Sequence, residues 1–438
     1  MRNEQVINSM SLGTRKMNKK ILMICYYFPP LLDVGCKRSV AFSKYLEYHG
    51  WEPHVLSVRN PDRNYCRIGT EKAPTGINTT YVSSLLNLSW FLGKINGLIN
   101  RFVSLFGGQL KKNYLYLILC IPDLFIGWIP GAVISGYKII KKHKIDSIYI
   151  SCSPFSSALS GIILKKLSGK PLIIDFRDPL AVNLPEILDI PKFRKKINIK
   201  IEQKIISYAD IFVVNSEEIR KGYIDVYPDI ENKTITIHNG FDSALIPSGI
   251  NGKYQKFTVV YCGNLYLNAI KSESFFEAIS GLKNAEKINR EKFQFLYFGQ
   301  NSQYVNEAAE KFGITDLVQV ETSISHADML KIITRAHLQL LRIVKPMIST
   351  KLFEGIALNV PFLATIPKGE VAEIIDEYSP SSYILHDDSP QAIGTSILAA
   401  MAAYRQGNIE SNLIPQFLEK YSREQMTRKL EGAIEKVM

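Results

Sequence analysis

The sequence predicts an α/β protein built from two successive doubly wound, parallel-sheet domains facing across a cleft. Three observations carry this. Short, continuous apolar runs alternate with amphipathic helical stretches from residue 20 onward. The alternation stops at a stretch rich in Ser, Pro, Gly, Asn and Lys, residues 242–256, and then restarts. The chain has 438 residues, too many for one compact domain and comfortable for two. Apolar strands separated by helices imply a parallel sheet covered on both faces.

In the first half the predicted strands are Lys20–Tyr27, Pro53–Val58, Ser147–Ile150, Leu172–Asp175, Ile211–Val214 and Thr234–Ile237, with a helix over Cys36–His49. In the second half they are Thr258–Cys262, Phe293–Phe298, Leu317–Val320, His337–Leu341 and Pro361–Ala364. Helices are expected over about 272–283, 302–312, 326–335, from Lys351, and near 370–376. Ser389-Pro390 opens a further helix, Ser as N-cap and Pro in the first turn. Ser422 and Gln425 have capping-box spacing, and Met426, Leu430, Ala433 and Val437 then share one face. Residues 1–16 read as a disordered lead, 17–245 as the first domain, 246–420 as the second, and 421–438 as a terminal helix.

The stretch 85–140 differs. Leu88, Phe91, Leu92, Ile95, Leu98, Ile99, Phe102, Leu105 and Phe106 recur at helical spacing, and Tyr114–Ile121 is almost purely apolar. A membrane span needs about twenty apolar residues, and Pro122, Asp123 and Pro130 interrupt this run. The readings are an apolar insertion packed on its own domain, or a surface that lies on a bilayer or holds a lipid-linked acceptor. Lys138, Lys141, Lys142 and Lys144, and then Lys192, Arg194, Lys195, Lys196 and Lys200, form basic clusters that would favour anionic lipid or simply be solvated helix faces.

Lys plus Arg exceed Asp plus Glu by 53 to 41, a net charge of +12, which suggests anionic partners. The six Cys residues show no CxxC pair and no zinc spacing, so a reducing, cytoplasmic setting without a metal is expected. The basic start at Lys19-Lys20 followed by Ile21–Phe28 is signal-like, but Pro29-Pro30 ends the run and no small-residue cleavage site follows. The charge is spread along the chain with no nucleic-acid reader motif, so no nucleic-acid partner is expected.

In an open parallel sheet, ligands sit at the carboxyl ends of strands. Five such places stand out. The loop Phe28–Arg38 holds Gly35 and Arg38 and could aim backbone N–H groups at an anion. Asp175-Phe176-Arg177-Asp178 puts three charges in four positions after a buried strand; they are functional or a mutual Asp–Arg pair. His238-Asn239-Gly240-Phe241-Asp242 should face the crevice just before the linker. Gly263-Asn264-Leu265-Tyr266, with Lys271 nearby, could approach a ligand closely and neutralise a diphosphate. Ser349-Thr350-Lys351 starts a helix, a natural diphosphate site, and Glu354 one turn on could accept from a ribose diol. The bland alternative there is a capped core helix with an exposed Glu.

Together "ILMICYYFPP", "IPDLFIGW", "SCSPFSSAL", "IIDFRDP", "ADIFVVNS", "IHNGFD", "YCGNLY", "STKLFEGIALNVPFLA" and "PKGEVAEII" resemble, in order, glycosyltransferase family four, the retaining GT-B enzymes of bacterial polysaccharide and glycolipid assembly. The resemblance runs from about residue 20 to the end. It implies two Rossmann-like domains, the first on the acceptor side, the second binding a nucleoside-diphosphate sugar, and the last helix crossing back to the first domain. Ser349, Thr350 and Lys351 resemble the phosphate-binding helix start, Glu354 the ribose carboxylate and Lys271 the cation at the diphosphate, while Gly263, Asn264 and Tyr266 line the donor side. Gly35, Arg38, Asn239 and Asp242 fall on the acceptor side of the cleft. Three departures stand out: Pro346 replaces a second Glu, Arg177 replaces a His, and the first loop has Gly35 without a paired Gly.

The implied reaction is attack of an acceptor hydroxyl on an anomeric carbon with retention, Lys271 and Lys351 stabilising the departing diphosphate without a metal or cofactor. Arg177 and Asp178 take the place of the missing groups, with Asp178 orienting the acceptor hydroxyl. The expected partners are a nucleotide-sugar, a glycan or lipid-linked acceptor, and an anionic membrane surface at the inner face of the plasma membrane. A UDP-sugar epimerase, a phosphorylase, or a non-catalytic scaffold of an assembly complex would fit the same architecture.

Overall fold

The computed structural model describes residues 19–32, 34–69, 72–86, 88–105, 118–182, 190–250, 252–263, 265, 273–322, 324–343 and 348–438. In the first domain the strands are β1 (Lys19–Ile24), β2 (Trp51–Val58), β3 (Asn78–Val82), β4 (Ser147–Cys152), β5 (Leu172–Phe176), β6 (Ile211–Val214) and β7 (Thr234–Thr236). They form one sheet in the order β3-β2-β1-β4-β5-β6-β7, every neighbouring pair parallel. Its helices are α1 (Val34–Tyr48), α2 (Leu88–Ser104), α3 (Ile129–His143), α4 (Ser156–Ser168), α5 (Lys192–Tyr208) and α6 (Glu217–Val226).

The second sheet contains β8 (Phe257–Cys262), β9 (Phe293–Phe298), β10 (Val318–Glu321), β11 (Leu338–Arg342), β12 (Phe362–Thr365) and β13 (Tyr383–Leu385). Its order is β10-β9-β8-β11-β12-β13, again all parallel. Helices α7 (Glu273–Asn284), α8 (Ser302–Lys311), α9 (His326–Arg335), α10 (Thr350–Ala357), α11 (Glu370–Tyr378), α12 (Pro390–Gln406), α13 (Ile414–Tyr421) and α14 (Arg423–Glu435) complete the chain.

Each sheet is buried on both faces, as its continuous apolar strands require. Along β1, Leu22 and Ile24 join one core cluster while Ile21 and Met23 join the opposite one. In β8, Val260 and Cys262 face one way, and Val259 and Tyr261 the other. None of the six Cys residues forms a disulfide, and all are buried, Cys120 in a small separate cluster with Leu92 and Leu124. Helix α14 leaves the second domain and lies on the first. Met426, Leu430, Ala433 and Ile434 pack with Phe42, Leu46 and Trp51, and Trp51 Nε1 donates to Glu431 Oε1 at 2.9 Å. Ser422 caps this helix by accepting from the Gln425 amide at 3.3 Å.

The 85–140 stretch divides. Helix α3 belongs to the first core through Ala132 and Ile140. Leu92 of α2 is buried with Cys120 and Leu124, whereas Trp90, Phe91, Leu98 and Phe102 are each more than half exposed. Half of the apolar run Tyr114–Ile121, residues 114–117, lies outside the described residues. Among the described residues no helix is long and apolar enough to cross a membrane. The basic cluster on α5 is not uniformly solvated. Arg194 is buried and donates to the carbonyls of Cys120 at 2.8 Å and Pro122 at 2.5 Å.

One buried ion pair anchors the carboxyl ends of the first sheet. Arg38 Nε donates to Asp175 Oδ2 at 2.6 Å and its NH2 to Oδ1 at 3.1 Å, while NH1 donates to the His238 carbonyl at 2.8 Å. Tyr149 Oη adds a bond to Asp175 Oδ2 at 2.5 Å. Arg38→Leu leaves the Asp175 carboxylate buried without its partner and is expected to cost about 3–5 kcal/mol of stability. Urea unfolding of the variant checks this, and an unchanged midpoint would contradict it.

Candidate active site

A cleft of about 840 Å³ lies between the domains. The first domain lines it with Gly35, Lys37, Arg177, Asp178 and Asn239, and the second with Gly263, Ile348, Ser349, Thr350 and Lys351. These residues follow β1, β5, β7, β8 and β11, the carboxyl ends where doubly wound sheets place ligands. The charged lining is one-sided. Lys37, Arg38, Arg67, Arg177, Arg342, Lys351 and Arg423 face a single carboxylate, Asp178, among the described residues.

On the second domain, Ser349 caps α10 by accepting from the Lys351 amide at 3.3 Å, so the first N–H groups of the helix open on the cleft. Lys351 Nζ donates to Tyr261 Oη at 2.9 Å and lies 4.0 Å from the centre of that ring. Gly263 has φ +131°, and a Cβ there would stand 2.6 Å from Lys351 Nζ. Only glycine meets both conditions. Asn264, Tyr266 and Lys271 lie outside the described residues.

Glu354 sits behind this helix start, 4% exposed, and not in the exposed position of a plain surface residue. Its Oε1 accepts from Lys37 Nζ of the first domain at 3.1 Å and lies 3.0 Å from His326 Nε2, while Lys37 and His326 are 2.7 Å apart. Burial alone would raise its pKa, but Lys37 and His326 outweigh burial and hold the carboxyl down at about 2. The ordinary value is 4.5, so the unfolded chain binds the proton first as pH falls. The contribution of Glu354 to stability is therefore full above pH 4.5 and disappears as pH drops through about 2. The stability difference between the wild type and Glu354→Gln is expected to be constant above pH 4.5 and to shrink steadily toward pH 2, as read by urea unfolding across that range.

On the first domain, Asp175 pairs with Arg38 rather than with Arg177. Arg177 instead donates from Nε to the Cys152 carbonyl at 3.2 Å and from NH2 to the Ser153 carbonyl at 2.5 Å. Its guanidinium lies against Gly35, where a Cβ would come 1.9 Å from NH1. Asp178 is exposed to the cleft. The chain just after it is pinned by Glu202. This wholly buried carboxylate accepts from the amides of Leu180, Ala181 and Val182 at 2.9, 2.8 and 3.0 Å and from Tyr223 Oη at 2.8 Å.

Two expected cleft residues have other duties. Arg38 touches the cleft but is 4% exposed and committed to Asp175 and His238. Asp242 does not line the cleft; it accepts from Tyr45 Oη at 2.9 Å and the Ala244 amide at 3.1 Å, a capping role. Asn239 spans the seam, donating to the Ile348 carbonyl at 3.4 Å.

Sequence reasoning missed Lys37, His326, Arg423 and Glu202. Lys37 lies between two residues of the same loop that did attract notice; the other three stand far from any strand end that suggested a site. Arg423, at the start of α14, lines the cleft while 8% exposed, and its Nε has no hydrogen-bond partner among the described residues. The seam is closed by a reciprocal exchange. Glu370 Oε2 accepts from the Glu217 amide at 2.8 Å, Glu218 Oε1 accepts from the Glu370 amide at 3.1 Å, and His238 Nε2 lies 2.6 Å from Glu370 Oε1.

Comparison with known proteins follows this division. Residues 39–245 match the family model described as Glycosyltransferase Family 4, and residues 256–403 match the one described as Glycosyl transferases group 1. No curated protein sequence matches the chain. Among solved structures, the Anabaena protein Alr3699/HepE, crystallised with UDP and glucose, is 14% identical with a TM-score of 0.63, covering 96% of this chain and 100% of its own. The lipopolysaccharide outer core galactosyltransferase WaaB is 14% identical with a TM-score of 0.58, over 96% and 100%. A putative UDP-N-acetylglucosamine 2-epimerase from Listeria monocytogenes is 11% identical with a TM-score of 0.58, over 95% and 96%. The structures share the fold, and the two family models span both domains: the chain belongs to glycosyltransferase family four and is a GT-B enzyme that transfers a sugar from a nucleotide-sugar.

Proposed function

We propose that this enzyme moves a hexosyl or N-acetylhexosaminyl unit from a UDP-sugar to an acceptor hydroxyl, with retention, in the assembly of a bacterial cell-surface polysaccharide or glycolipid. The observation that carries this reading is the charge of the cleft: of its seven lining cations, Lys37, Arg38 and Arg342 pair with Glu354, Asp175 and Asp388, which leaves Arg67, Arg177, Lys351 and Arg423 against Asp178. Such a site is electrostatically complementary to a diphosphate and most complementary when the leaving group takes up negative charge. UDP is the nucleotide bound by the Anabaena structure of the same fold.

In this reading the diphosphate lies over the start of α10, between Ser349, Thr350 and Lys351. Arg423, whose pKa burial pulls down and Asp242 and Glu354 partly restore, meets it from the other side of the cleft. Glu354 accepts from the ribose diol in exchange for its contact with Lys37, and Lys37 is then released toward the phosphates. The acceptor oxygen attacks the anomeric carbon, and the bond from that carbon to the phosphate oxygen breaks. The electron pair leaves with the diphosphate, whose oxygen takes the acceptor proton on the same face. Asp178 orients the acceptor hydroxyl, and Gly35 and Arg177 shape the wall beside it. Lys351, Arg423 and Lys271 supply the positive charge, so no metal is required. The exposed apolar side chains of α2 support work at the inner face of the plasma membrane.

Glu354→Ala is expected to raise the donor KM strongly with a smaller effect on kcat. Lys351→Ala is expected to lower kcat by about a hundredfold, the usual scale for losing one group that stabilises transition-state charge. Steady-state release of UDP from a UDP-sugar, with and without acceptor, measures both. Normal turnover by both variants would remove the donor-site assignment, and epimerised sugar in place of transfer would remove the proposed reaction.

A further inference from the structure

A second cavity, of about 800 Å³, opens on the first domain at the edge strand β3. Its lining is mostly apolar, with Leu31, Val58, Pro61, Ile68 and Ala73 among its walls. Arg59 and Lys72, both exposed, are its charged members among the described residues. Nothing in the donor reaction uses it.

The wall between this cavity and the interdomain cleft is a short two-stranded ribbon. Leu31 and Ile68 form an antiparallel bridge, the Leu32 amide donates to the Arg67 carbonyl at 2.9 Å, and the Gly69 amide to the Pro30 carbonyl at 2.7 Å. Successive residues of an extended chain point to opposite sides. Arg67 lines the cleft and Ile68, next in sequence, lines the second cavity. The ribbon therefore stands as a wall shared by the two spaces. The apolar character also continues outward: beyond β3 come Leu85 and Leu86, which are 68% and 63% exposed.

A glycan subsite is lined by hydrogen-bonding side chains. Here, apart from the two cations, the polar side chains are Thr79, Thr80 and Tyr81, and the Tyr81 hydroxyl is already given to the Pro29 carbonyl. An apolar hollow bearing two cations, one ribbon away from a sugar-transfer cleft, has a different complement: an apolar chain, then a phosphate, then a hydroxyl-bearing end. We infer that this cavity holds the apolar chain of a phosphate-bearing lipid acceptor, with Arg59 and Lys72 on its phosphate and its sugar hydroxyl passing over the Leu31–Ile68 ribbon toward Asp178. The inference rests on the proposed transfer reaction and names its acceptor class. It assigns the cavity a size typical of small-molecule sites, roughly 300–1,000 Å³.

Isothermal titration of the full chain with farnesyl phosphate, dodecyl phosphate, farnesol, inorganic phosphate and, separately, UDP tests it. At least one chain phosphate is expected to bind, with farnesol and inorganic phosphate each weaker by about tenfold or more. Tighter binding of farnesyl phosphate identifies an isoprenoid source, and tighter binding of dodecyl phosphate an acyl lipid. Ala73→Trp, which fills the cavity, and the surface double variant Arg59→Ser/Lys72→Ser, which leaves the core intact, are each expected to weaken chain-phosphate binding about tenfold while UDP binds as in the wild type. Absence of chain-phosphate binding, equal binding of farnesol, or unchanged binding by the double variant would overturn the inference. A wild-type chain that binds farnesyl phosphate but not UDP would instead overturn the donor reading and leave the cavity assignment standing.

Discussion

The carboxylate of Asp175 is wholly buried at the carboxyl end of a central parallel strand, and Arg38 is what makes that position tolerable. An isolated charge there would cost far more than a typical domain can absorb. The pair does more than cancel a charge. Arg38 belongs to α1, Asp175 to β5, Tyr149 to β4, and the His238 carbonyl to the chain after β7. The pair and the tyrosine therefore tie together four segments, which carry Lys37, Arg177, Ser153 and Asn239 within four residues of these contacts. All four line the cleft. The geometry of the first-domain wall of the cleft is inherited from this interior contact.

At the mouth of the second domain the buried Arg342, at the end of β11, pairs instead with the exposed Asp388 at 2.7 Å. That domain otherwise relies on backbone: a capped helix start, a glycine at positive φ, and a lysine resting on a tyrosine ring. The domains then meet through contacts that are individually polar and exchangeable. Glu217, Glu218 and Glu370 trade carboxylates for helix-start amides across the seam, and Lys37 reaches Glu354. Interfaces of this polar kind open and close more readily than apolar ones. Two cleft walls joined by replaceable hydrogen bonds suit an enzyme that must admit a nucleotide-sugar and release a nucleotide on each turnover.

Much of the fold was legible. Phe293–Phe298 and His326–Arg335 coincide with β9 and α9 residue for residue, because a pure apolar run and a Ser-capped amphipathic helix are each unambiguous. The strand β3, with the sequence Asn-Thr-Thr-Tyr-Val, was not foreseen: an edge strand half exposed on both sides carries no apolar run. The three-residue β13 and the helix α13 escaped for want of length. Within the site, Ser349, Thr350, Lys351 and Gly263 were readable from their places after strands, because strand ends set the cleft. Arg38 lines the cleft as expected although its guanidinium is committed to Asp175, and Asp242 is not among the lining residues; a sequence does not reveal which of the adjacent Lys37 and Arg38 turns inward. His326, the first residue of α9, meets Lys37 and Glu354, and Arg423, the first residue of α14, lines the cleft; both depend on partners remote in sequence, which only the three-dimensional arrangement brings together.

The last helix carries a consequence for how the molecule is made. Residues 423–435 form part of the core of the first domain, where Leu430 and Ile434 close over Phe42 and Trp51, and Glu435 pairs with Lys19 of the first strand. Synthesis delivers the first domain's strands early and this cover last. Domains ordinarily fold as they emerge, amino-terminal first. Here the first domain must wait on the ribosome with one apolar face uncovered until the second has been completed. Ribosome-associated chaperones have a defined surface to guard during that interval, and a chain stalled after α13 would hold a finished second domain beside an unfinished first.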